Sequence, residues 1–159
     1  ELKKSGIKSG VINAGGDLRA FGLITGKRPW HIGIQHPRKP EQIIVSLDIK
    51  DKGIATTGDY QRYFIKNKAR YHHILNPQNG WPTNKTISAT VVADTVMDAD
   101  ALSTALFILG TKKGIDFINS LERVEGMIVS DRGYASYSSG FHNLSGFSLL
   151  GLKNNFITK

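Results

Sequence analysis

The 159-residue sequence predicts a single domain of the α+β class, an antiparallel β-sheet with packed helices. Most of its 17 glycines fall between short apolar runs, as turn-rich β structure requires. The apolar period changes to about 3.6 residues in one region around position 100, which predicts helix. Short strand-like runs then return. Strands and helices are therefore segregated along the chain, unlike the alternation of a βαβ repeat.

The first half of the chain is predicted to be β structure. Residues 10–13 and 17–22 form two strands joined by the turn Ala14-Gly15-Gly16. Further strands are expected at residues 31–35, 42–49, 53–57, 60–65, 71–75 and 86–93. The run Ile43-Ile44-Val45 is β-branched and apolar on both faces, which indicates a central strand.

The helical region follows the last of these strands. Its apolar residues recur with a helical period at Val96, Ala99, Leu102, Leu106 and Leu109. Thr95 and Asp98 have the spacing of an N-terminal capping pair, and Gly110 is expected to end the helix. A second helix is predicted at residues 112–122. Residues 127–130 and 134–138 should close a hairpin, and the remaining tail is poorly patterned.

Composition limits the classes of function. The formal net charge is +8, but the basic residues are scattered and match no nucleic-acid motif, so a solvated basic surface is favoured over nucleic-acid binding. The absence of cysteine excludes disulfides, thiolate metal sites and a cysteine nucleophile. No apolar stretch approaches the roughly 20 residues of a membrane span. The opening residues 1–6 are typical of the last turn of an amphipathic helix, so we expect an N-terminal portion before Glu1.

Three segments could carry chemistry. In the first, Gly15 and Gly16 precede Asp17, and paired glycines let backbone N–H groups approach a phosphate or a planar ring. A plain hairpin turn is the alternative. In the second, His72 and His73 are adjacent on a predicted strand and should point to opposite faces. One is placed to act as a general base, the alternative being a buried histidine bonded to backbone.

The third segment is the predicted helix. Asp100 and Thr104 are four residues apart and share one helical face. Both supply hard oxygen ligands, and two protein ligands completed by phosphate oxygens and water is a coordination typical of magnesium. The nearby helix N-terminus would also favour a phosphate. The alternative is a polar edge on an otherwise apolar helix.

The order of these segments resembles the ApbE family of FAD:protein FMN transferases. The matching motifs are Asn-x-Gly-Gly-Asp-x-Arg, Thr-Gly-Asp-Tyr, His-His-Ile-x-Asn-Pro-x-x-Gly and Ala-Asp-Ala-x-Ser-Thr-Ala-Leu-Phe, between about residues 9 and 114. The resemblance implies a layered, T-fold-like α+β core and a cleft that binds FAD with Mg²⁺. Gln61 stands where the family usually has glutamate, and Asn76 where it usually has aspartate. The family's upstream Ala-Lys-Gly segment, whose alanine carbonyl completes the metal site, is absent from these residues.

The resemblance also implies the roles of individual residues. It makes His73 the catalytic residue, and Asp100 and Thr104 the metal ligands. It assigns the nucleotide to the following residues: Gly15, Gly16, Asp17, Thr57, Gln61 and His73. The expected reaction joins FMN through a phosphoester to a Thr or Ser of an acceptor protein, and AMP leaves. FAD hydrolysis to FMN and AMP, or FAD binding without catalysis, are the alternatives.

The resemblance extends to partners and location. The acceptor is expected to be a subunit of a redox complex. The family's members work outside the cytoplasm, in the periplasm or at the cell surface. A membrane would be reached only through a lipid anchor outside this chain, since no export signal is visible in these residues.

Overall fold

The fold is a three-layer α+β arrangement built on an antiparallel sheet, as the sequence predicts. It comes from a computed structural model, and the residues described are 1–151. Six strands form the main sheet in the order β1-β2-β5-β8-β9-β10, and every neighbouring pair is antiparallel. Their bounds are β1 Gly10–Ala14, β2 Asp17–Phe21, β5 Lys52–Gly58, β8 Thr86–Ala93, β9 Glu125–Ser130 and β10 Ala135–Tyr137.

A smaller sheet covers one face of the main sheet. It contains β3 (Trp30–His36), β4 (Lys39–Ile49) and β11 (Ser148–Leu149), with β4 in the middle. The prediction of a central strand around residues 43–45 is therefore confirmed for this sheet. Side chains between the two sheets form an apolar core that includes Ile54 and Phe141. Sheet-on-sheet burial fixes the position of the β3–β4 hairpin relative to the main sheet.

Two helices cover the opposite face. α1 spans Val96–Leu109, as predicted, and α2 spans Thr111–Asn119, so it ends before the predicted residue 122. Thr95 caps α1: its Oγ1 accepts a hydrogen bond from the N–H of Asp98 at 3.1 Å and donates one to the Asp98 carboxylate at 2.6 Å. Gly110, at φ 75°, ends α1 at the predicted position.

The buried side of α1 differs from the predicted stripe. Ala99 and Leu106 are buried as expected, but Leu109 is 42% exposed. Phe107 is buried and packs with Ile118 of α2 against the sheet. The helix turns by about 100° per residue, so a buried face moved by one position takes in Ser103 and Phe107, which follow the predicted Leu102 and Leu106. Ser103, a polar residue, is therefore buried under the helix.

A separate two-stranded hairpin leads into the second chemical segment. It consists of β6 (Tyr63–Lys66) and β7 (Ala69–His72), shorter than the predicted strands at 60–65 and 71–75. The rings of Phe64 and Tyr71 stack with centroids 5.1 Å apart, and the Arg70 guanidinium lies 3.7 Å from the centre of the Tyr63 ring. These contacts hold the hairpin together on its own, because within residues 1–151 its strands pair only with each other.

The ends of the described chain agree with the sequence pattern. At the N-terminus the N–H groups of Gly6 and Ile7 donate to the carbonyls of Lys3 and Leu2, the bond pair that closes a helical turn at a left-handed glycine. The predicted hairpin around Asp131-Arg132-Gly133 joins β9 to β10. None of the helices formed by residues 1–151 combines the length and apolar character of a membrane span.

Candidate functional site

One cleft collects almost all of the predicted site residues. It has a volume of about 270 Å³ and opens beside α1, between the β1–β2 turn and the segment that follows β7. Its walls are Gly15, Asp17, Thr56, Thr57, Gln61, His73, Ile74, Leu75, Asp100, Thr104 and Ile108. Of the predicted residues only Gly16 is missing from the wall. It lies next to Gly15, and a Cβ added to it would come within 4.0 Å of the Gln61 amide nitrogen.

The glycine turn reaches the cleft because of its backbone conformation. Ala14 pairs with Asp17, which leaves Gly15 and Gly16 as a two-residue hairpin loop. Their φ angles are 70° and 111°, values that residues with a side chain adopt only with strain. The Asn13 side-chain oxygen accepts the N–H of Gly16 at 2.9 Å and fixes the turn. The turn is therefore a hairpin, as the plain alternative held, and it also forms one wall of the cleft.

Thr57 faces α1 from the end of β5. Side chains alternate along a strand, so Ala55 and Thr57 share the face that the helices cover, and Ala55 belongs to their common core. The Thr57 hydroxyl lies 2.7 Å from the Ser103 hydroxyl and 3.1 Å from that of Thr104. These contacts join the strand end to the helical face that carries Asp100.

Asp59 and Tyr60, in the same motif, stabilise the fold. Asp59 is buried, and both of its carboxylate oxygens accept hydrogen bonds at 2.6 Å from the guanidinium of Arg38, in the β3–β4 turn. The Tyr60 ring packs on Gly58, where an added Cβ would lie 2.4 Å from a ring carbon. Burial and the charge of Asp59 raise the pKa of Tyr60. The ion pair and the packed ring hold the loop between Thr57 and Gln61 in place.

The two histidines have opposite environments, as predicted. His72 is 6% exposed, and its Nε2 donates to the carbonyl of Thr83 at 2.6 Å, while its Nδ1 accepts the N–H of Ile74 at 3.2 Å. With both nitrogens engaged, His72 is the buried histidine of the alternative interpretation. It also ends β7, so His73 lies one residue beyond the strand.

His73 is exposed and lines the cleft. Its Nδ1 lies 3.2 Å from the carbonyl oxygen of Arg62. A carbonyl can only accept, so Nδ1 carries the proton in the neutral ring and Nε2 is left as a proton acceptor. The same carbonyl accepts the backbone N–H of His73, also at 3.2 Å. The ring is thus oriented in the tautomer that a general base needs.

The cleft brings two carboxylates close enough to affect each other. Burial raises the pKa of Asp17, and the negative charge of Asp100 raises it further. Asp100 and Thr104 lie on the same side of α1, with Ile108 one turn further along. The side of α1, along Asp100, Thr104 and Ile108, therefore lines the cleft. No residue of the first turn of α1 belongs to the cleft wall, and the expectation that the helix N-terminus favours a phosphate stays a prediction.

The donor set at this point is composed of hard oxygens. Within residues 1–151 no three or more His, Cys, Asp or Glu side chains form a group that could hold a metal ion by themselves. Asp100, Thr104 and the nearby Asp17 nevertheless fit a hard cation, because two repelling carboxylates are relieved by a positive charge between them. Few protein ligands is also the usual condition for Mg²⁺, which takes the rest from substrate phosphates and water.

The Asp17 carboxylate has a consequence for stability. Its folded-state pKa is raised, so the protonated form contributes stability that is present below the unfolded-state pKa and is lost as the pH rises through the folded-state value. We therefore expect Asp17→Asn, in the presence of EDTA, to raise the melting temperature at neutral pH and to flatten its decline above about pH 4. Added Mg²⁺ should raise the melting temperature of the wild type more than that of the variant. Thermal denaturation followed by circular dichroism across pH tests both.

Asp116→Asn is the matched control for this prediction. Asp116 is an exposed carboxylate on α2 and is not part of the cleft wall. The control should show the same pH profile and the same response to Mg²⁺ as the wild type. If Asp116→Asn and Asp17→Asn shift the melting temperature equally, net charge is responsible and the interaction between Asp17 and Asp100 is not.

Several contributors were not identified from the sequence. Ser103 belongs to a matched motif, but no role is predicted for it. In the structure it is buried and contacts Thr57. A serine three residues after Asp100 on an apolar helix is a usable signal of a buried polar contact, but its partner lies 46 positions away. The apolar wall from Ile74, Leu75 and Ile108 also went unnoticed, because nothing in a run of apolar residues distinguishes a cleft wall from a core.

Comparison with known proteins identifies a family and individual proteins that are similar to this chain. A model of the ApbE family matches residues 1–128. A protein of Vibrio cholerae named FAD:protein FMN transferase is 34% identical over 141 residues, which cover 87% of this chain and 42% of that protein. The chain thus spans less than half the length of this relative.

Solved structures show the same similarity. The crystal structure of an ApbE protein from Thermotoga maritima superimposes with a TM-score of 0.79 at 39% identity, covering 86% of this chain and 45% of that one. The apo form of the Pseudomonas stutzeri flavinyl transferase ApbE superimposes with a TM-score of 0.76 at 31% identity, covering 93% and 47%. Both confirm the predicted fold class.

Proposed function

The chain belongs to the ApbE family, and on that premise we propose that its cleft is part of the active site of a magnesium-dependent FAD:protein FMN transferase. The observation that carries the proposal is the composition of one cleft. It holds His73, with Nε2 as proton acceptor, together with the oxygen donors Asp100 and Thr104. A base and a cation site in one cavity are what phosphoryl transfer to a hydroxyl requires.

The size of the cleft indicates how much of FAD these residues hold. Its volume of about 270 Å³ is slightly below the roughly 300–1,000 Å³ of most small-molecule sites. A dinucleotide is a large ligand in that range, so we assign the diphosphate and its surroundings to this cleft. Gly15, Gly16, Asp17, Thr57 and Gln61 are the residues that we assign to contacts with the nucleotide. The chain therefore supplies one part of the site.

Asp100 and Thr104 would hold the cation, with Asp17 beside them. When bound, Mg²⁺ neutralises the diphosphate and stabilises the charge that develops on the leaving phosphate. In the absence of cation the Asp17 and Asp100 carboxylates oppose an anionic diphosphate as well as each other. The acidic pair therefore makes nucleotide binding conditional on a divalent cation.

His73 would act on the acceptor hydroxyl. Nε2 takes the proton from a Thr or Ser side chain of the acceptor protein, while Nδ1–H stays bonded to the carbonyl of Arg62. The hydroxyl oxygen forms a bond to the phosphorus of the FMN half, and the bond from that phosphorus to the bridging oxygen breaks. AMP leaves with the bridging oxygen and its electron pair. The acceptor then carries FMN as a phosphoester, and His73 carries the proton.

The accessible edge of the cleft limits the form of the acceptor, and the family suggests its identity and location. Any acceptor must present a Thr or Ser on an accessible segment, because His73 lies at an exposed edge of the cleft. We propose a subunit of a redox complex as that acceptor, and an extracytoplasmic location reached through a lipid anchor outside this chain. These assignments rest on the family alone.

Mass spectrometry distinguishes the proposed activity from its alternatives. The full-length protein is incubated with FAD, Mg²⁺ and a candidate acceptor domain that carries an exposed Thr or Ser. Transfer adds the mass of FMN, less water, to the acceptor and releases AMP. Free FMN and AMP without the adduct would identify a hydrolase instead. Intact FAD that stays bound through a long incubation would identify a carrier and overturn the proposed transfer.

A further inference from the structure

Three hydroxyl groups between β5 and α1 form a chain with a fixed direction. The Ser103 hydroxyl donates to the backbone carbonyl of Asp100 at 2.9 Å, and that carbonyl can only accept. Ser103 has a single proton, so its oxygen accepts the hydrogen bond from Thr57 at 2.7 Å. The Thr57 proton is then committed, and its oxygen accepts from Thr104 at 3.1 Å. Every proton in the chain points away from the cleft and toward Asp100.

The consequence lies at the open end of the chain. Thr104 lines the cleft, and its proton is directed to Thr57, so its oxygen presents lone pairs to the cavity. A hydroxyl that coordinates a cation must do so through a lone pair. A freely rotating hydroxyl would present its proton to the cation in part of its orientations. The chain removes those orientations before any cation arrives.

Burial makes the chain rigid. Ser103 is 0% exposed, so water does not compete for its hydroxyl, and Thr57, although it lines the cleft, is only 8% exposed. The chain also ends on the backbone of Asp100, whose side chain is the other proposed ligand. It therefore fixes both ligands relative to β5, and loss of a group that orients a metal ligand typically lowers metal affinity by about 10–100-fold.

We propose that Thr57 and Ser103 are positioning residues that orient the Thr104 hydroxyl for cation binding. The inference rests on the proposed function for the identity of the cation site. It concerns only the direction of the hydrogen bonds that join Thr104, Thr57 and Ser103. It gives Thr57 a second role beside its contact with the nucleotide, and it assigns a role to Ser103. Thr57 and Ser103 would contribute without touching the cation.

The test measures cation affinity and does not depend on turnover. In the full-length protein, Mg²⁺ is titrated at saturating FAD. The fluorescence of FAD reports how much is bound, and it is read immediately after each addition, before turnover. Thr57→Val removes the hydroxyl at nearly constant volume and should weaken apparent Mg²⁺ affinity about tenfold, the lower range for groups that orient ligands. Thr57→Ser keeps the hydroxyl and should bind Mg²⁺ within about twofold of the wild type. Each variant is titrated at its own saturating FAD concentration, so that a change in its contact with the nucleotide does not enter the comparison.

A double-mutant cycle shows whether Thr57 acts through Thr104. Thr104→Val removes the ligand, so adding Thr57→Val to it should cause no further loss of Mg²⁺ affinity. Independent, multiplying losses would overturn the proposal, as would unchanged affinity in Thr57→Val, which would show that Thr104 finds another acceptor. Ser103→Ala provides a second variant: it frees the Thr57 proton to turn toward Thr104 and should also weaken Mg²⁺ binding. If the Ser103→Ala variant bound Mg²⁺ as tightly as the wild type, the proposed chain of hydroxyl groups would be contradicted.

The two proposals can fail separately. A wild type that binds FAD with Mg²⁺ but forms no adduct on an acceptor disproves the transferase and leaves the cycle interpretable. A wild type that forms the adduct, with Thr57→Val showing normal Mg²⁺ affinity, disproves the hydroxyl chain alone. FAD binding that is insensitive to Mg²⁺ in the wild type overturns both.

Discussion

Replacing His73 by alanine is expected to lower the rate of FMN transfer by about 10²–10⁴-fold, the usual contribution of a general base. FAD binding in the presence of Mg²⁺ should stay within about threefold of the wild type, since base catalysis acts on the transition state and contributes little to ground-state binding. The measurement is the initial rate of adduct formation on an acceptor, beside an FAD titration of the same protein.

The variant should fold normally for a structural reason. His73 is exposed, and the carbonyl of Arg62 keeps its hydrogen bond from the backbone N–H of residue 73 when the ring is removed. His31→Ala is the matched control: His31 is also exposed, pairs with Asp48 at 2.8 Å and lies outside the cleft wall. It should transfer FMN at the wild-type rate. Normal transfer by His73→Ala would remove His73 from the role of base.

Asp100→Asn is expected to weaken FAD binding in the presence of Mg²⁺ but not in its absence. The variant keeps the size of the side chain but loses its charge, so apparent Mg²⁺ affinity should fall by at least about 100-fold, the upper range for groups that only orient a ligand. In EDTA the same variant should bind FAD as well as the wild type or better, because one negative charge facing the diphosphate is gone. FAD titrations with Mg²⁺ and with EDTA test the two signs together.

This opposite response separates a metal ligand from a structural residue. Loss of folding would weaken FAD binding in both conditions, whereas loss of a ligand weakens it only when Mg²⁺ is present. Asp116→Asn again provides a control for net charge and should resemble the wild type in both titrations. Equal FAD affinity of Asp100→Asn and wild type at every Mg²⁺ concentration would contradict the assignment of Asp100.

Local patterns predicted the fold well where one residue decides the structure. Gly15 and Gly16 permit a two-residue hairpin with positive φ, and Thr95 and Gly110 set both ends of α1. Each of these signals acts within a few residues. The end of α2 was missed because no comparable stop signal follows Asn119 before the glutamate at residue 122.

Features that depend on packing could not be predicted. Ser103 and Phe107 are buried and Leu109 is exposed because the helix rotates to fit the sheet, and periodicity alone does not fix that rotation. The contacts of Thr57 with Ser103 and of Arg38 with Asp59 join residues far apart in sequence. The residues proposed to carry the chemistry, such as His73 and Asp100, were predicted individually, but the contacts between cleft residues exist only in the folded chain.

The strand order of the main sheet bears on how the protein reaches its folded state. β2 pairs with β5 across the β3–β4 hairpin, and β5 pairs with β8 across the β6–β7 hairpin, so the cleft joins segments that begin near Gly15 and end near Ile108. Closing such long loops is slow compared with forming a local hairpin. The cleft is therefore expected to assemble late in folding. A ligand that binds the cleft should slow unfolding far more than it accelerates folding, because partly folded chains lack the assembled binding site.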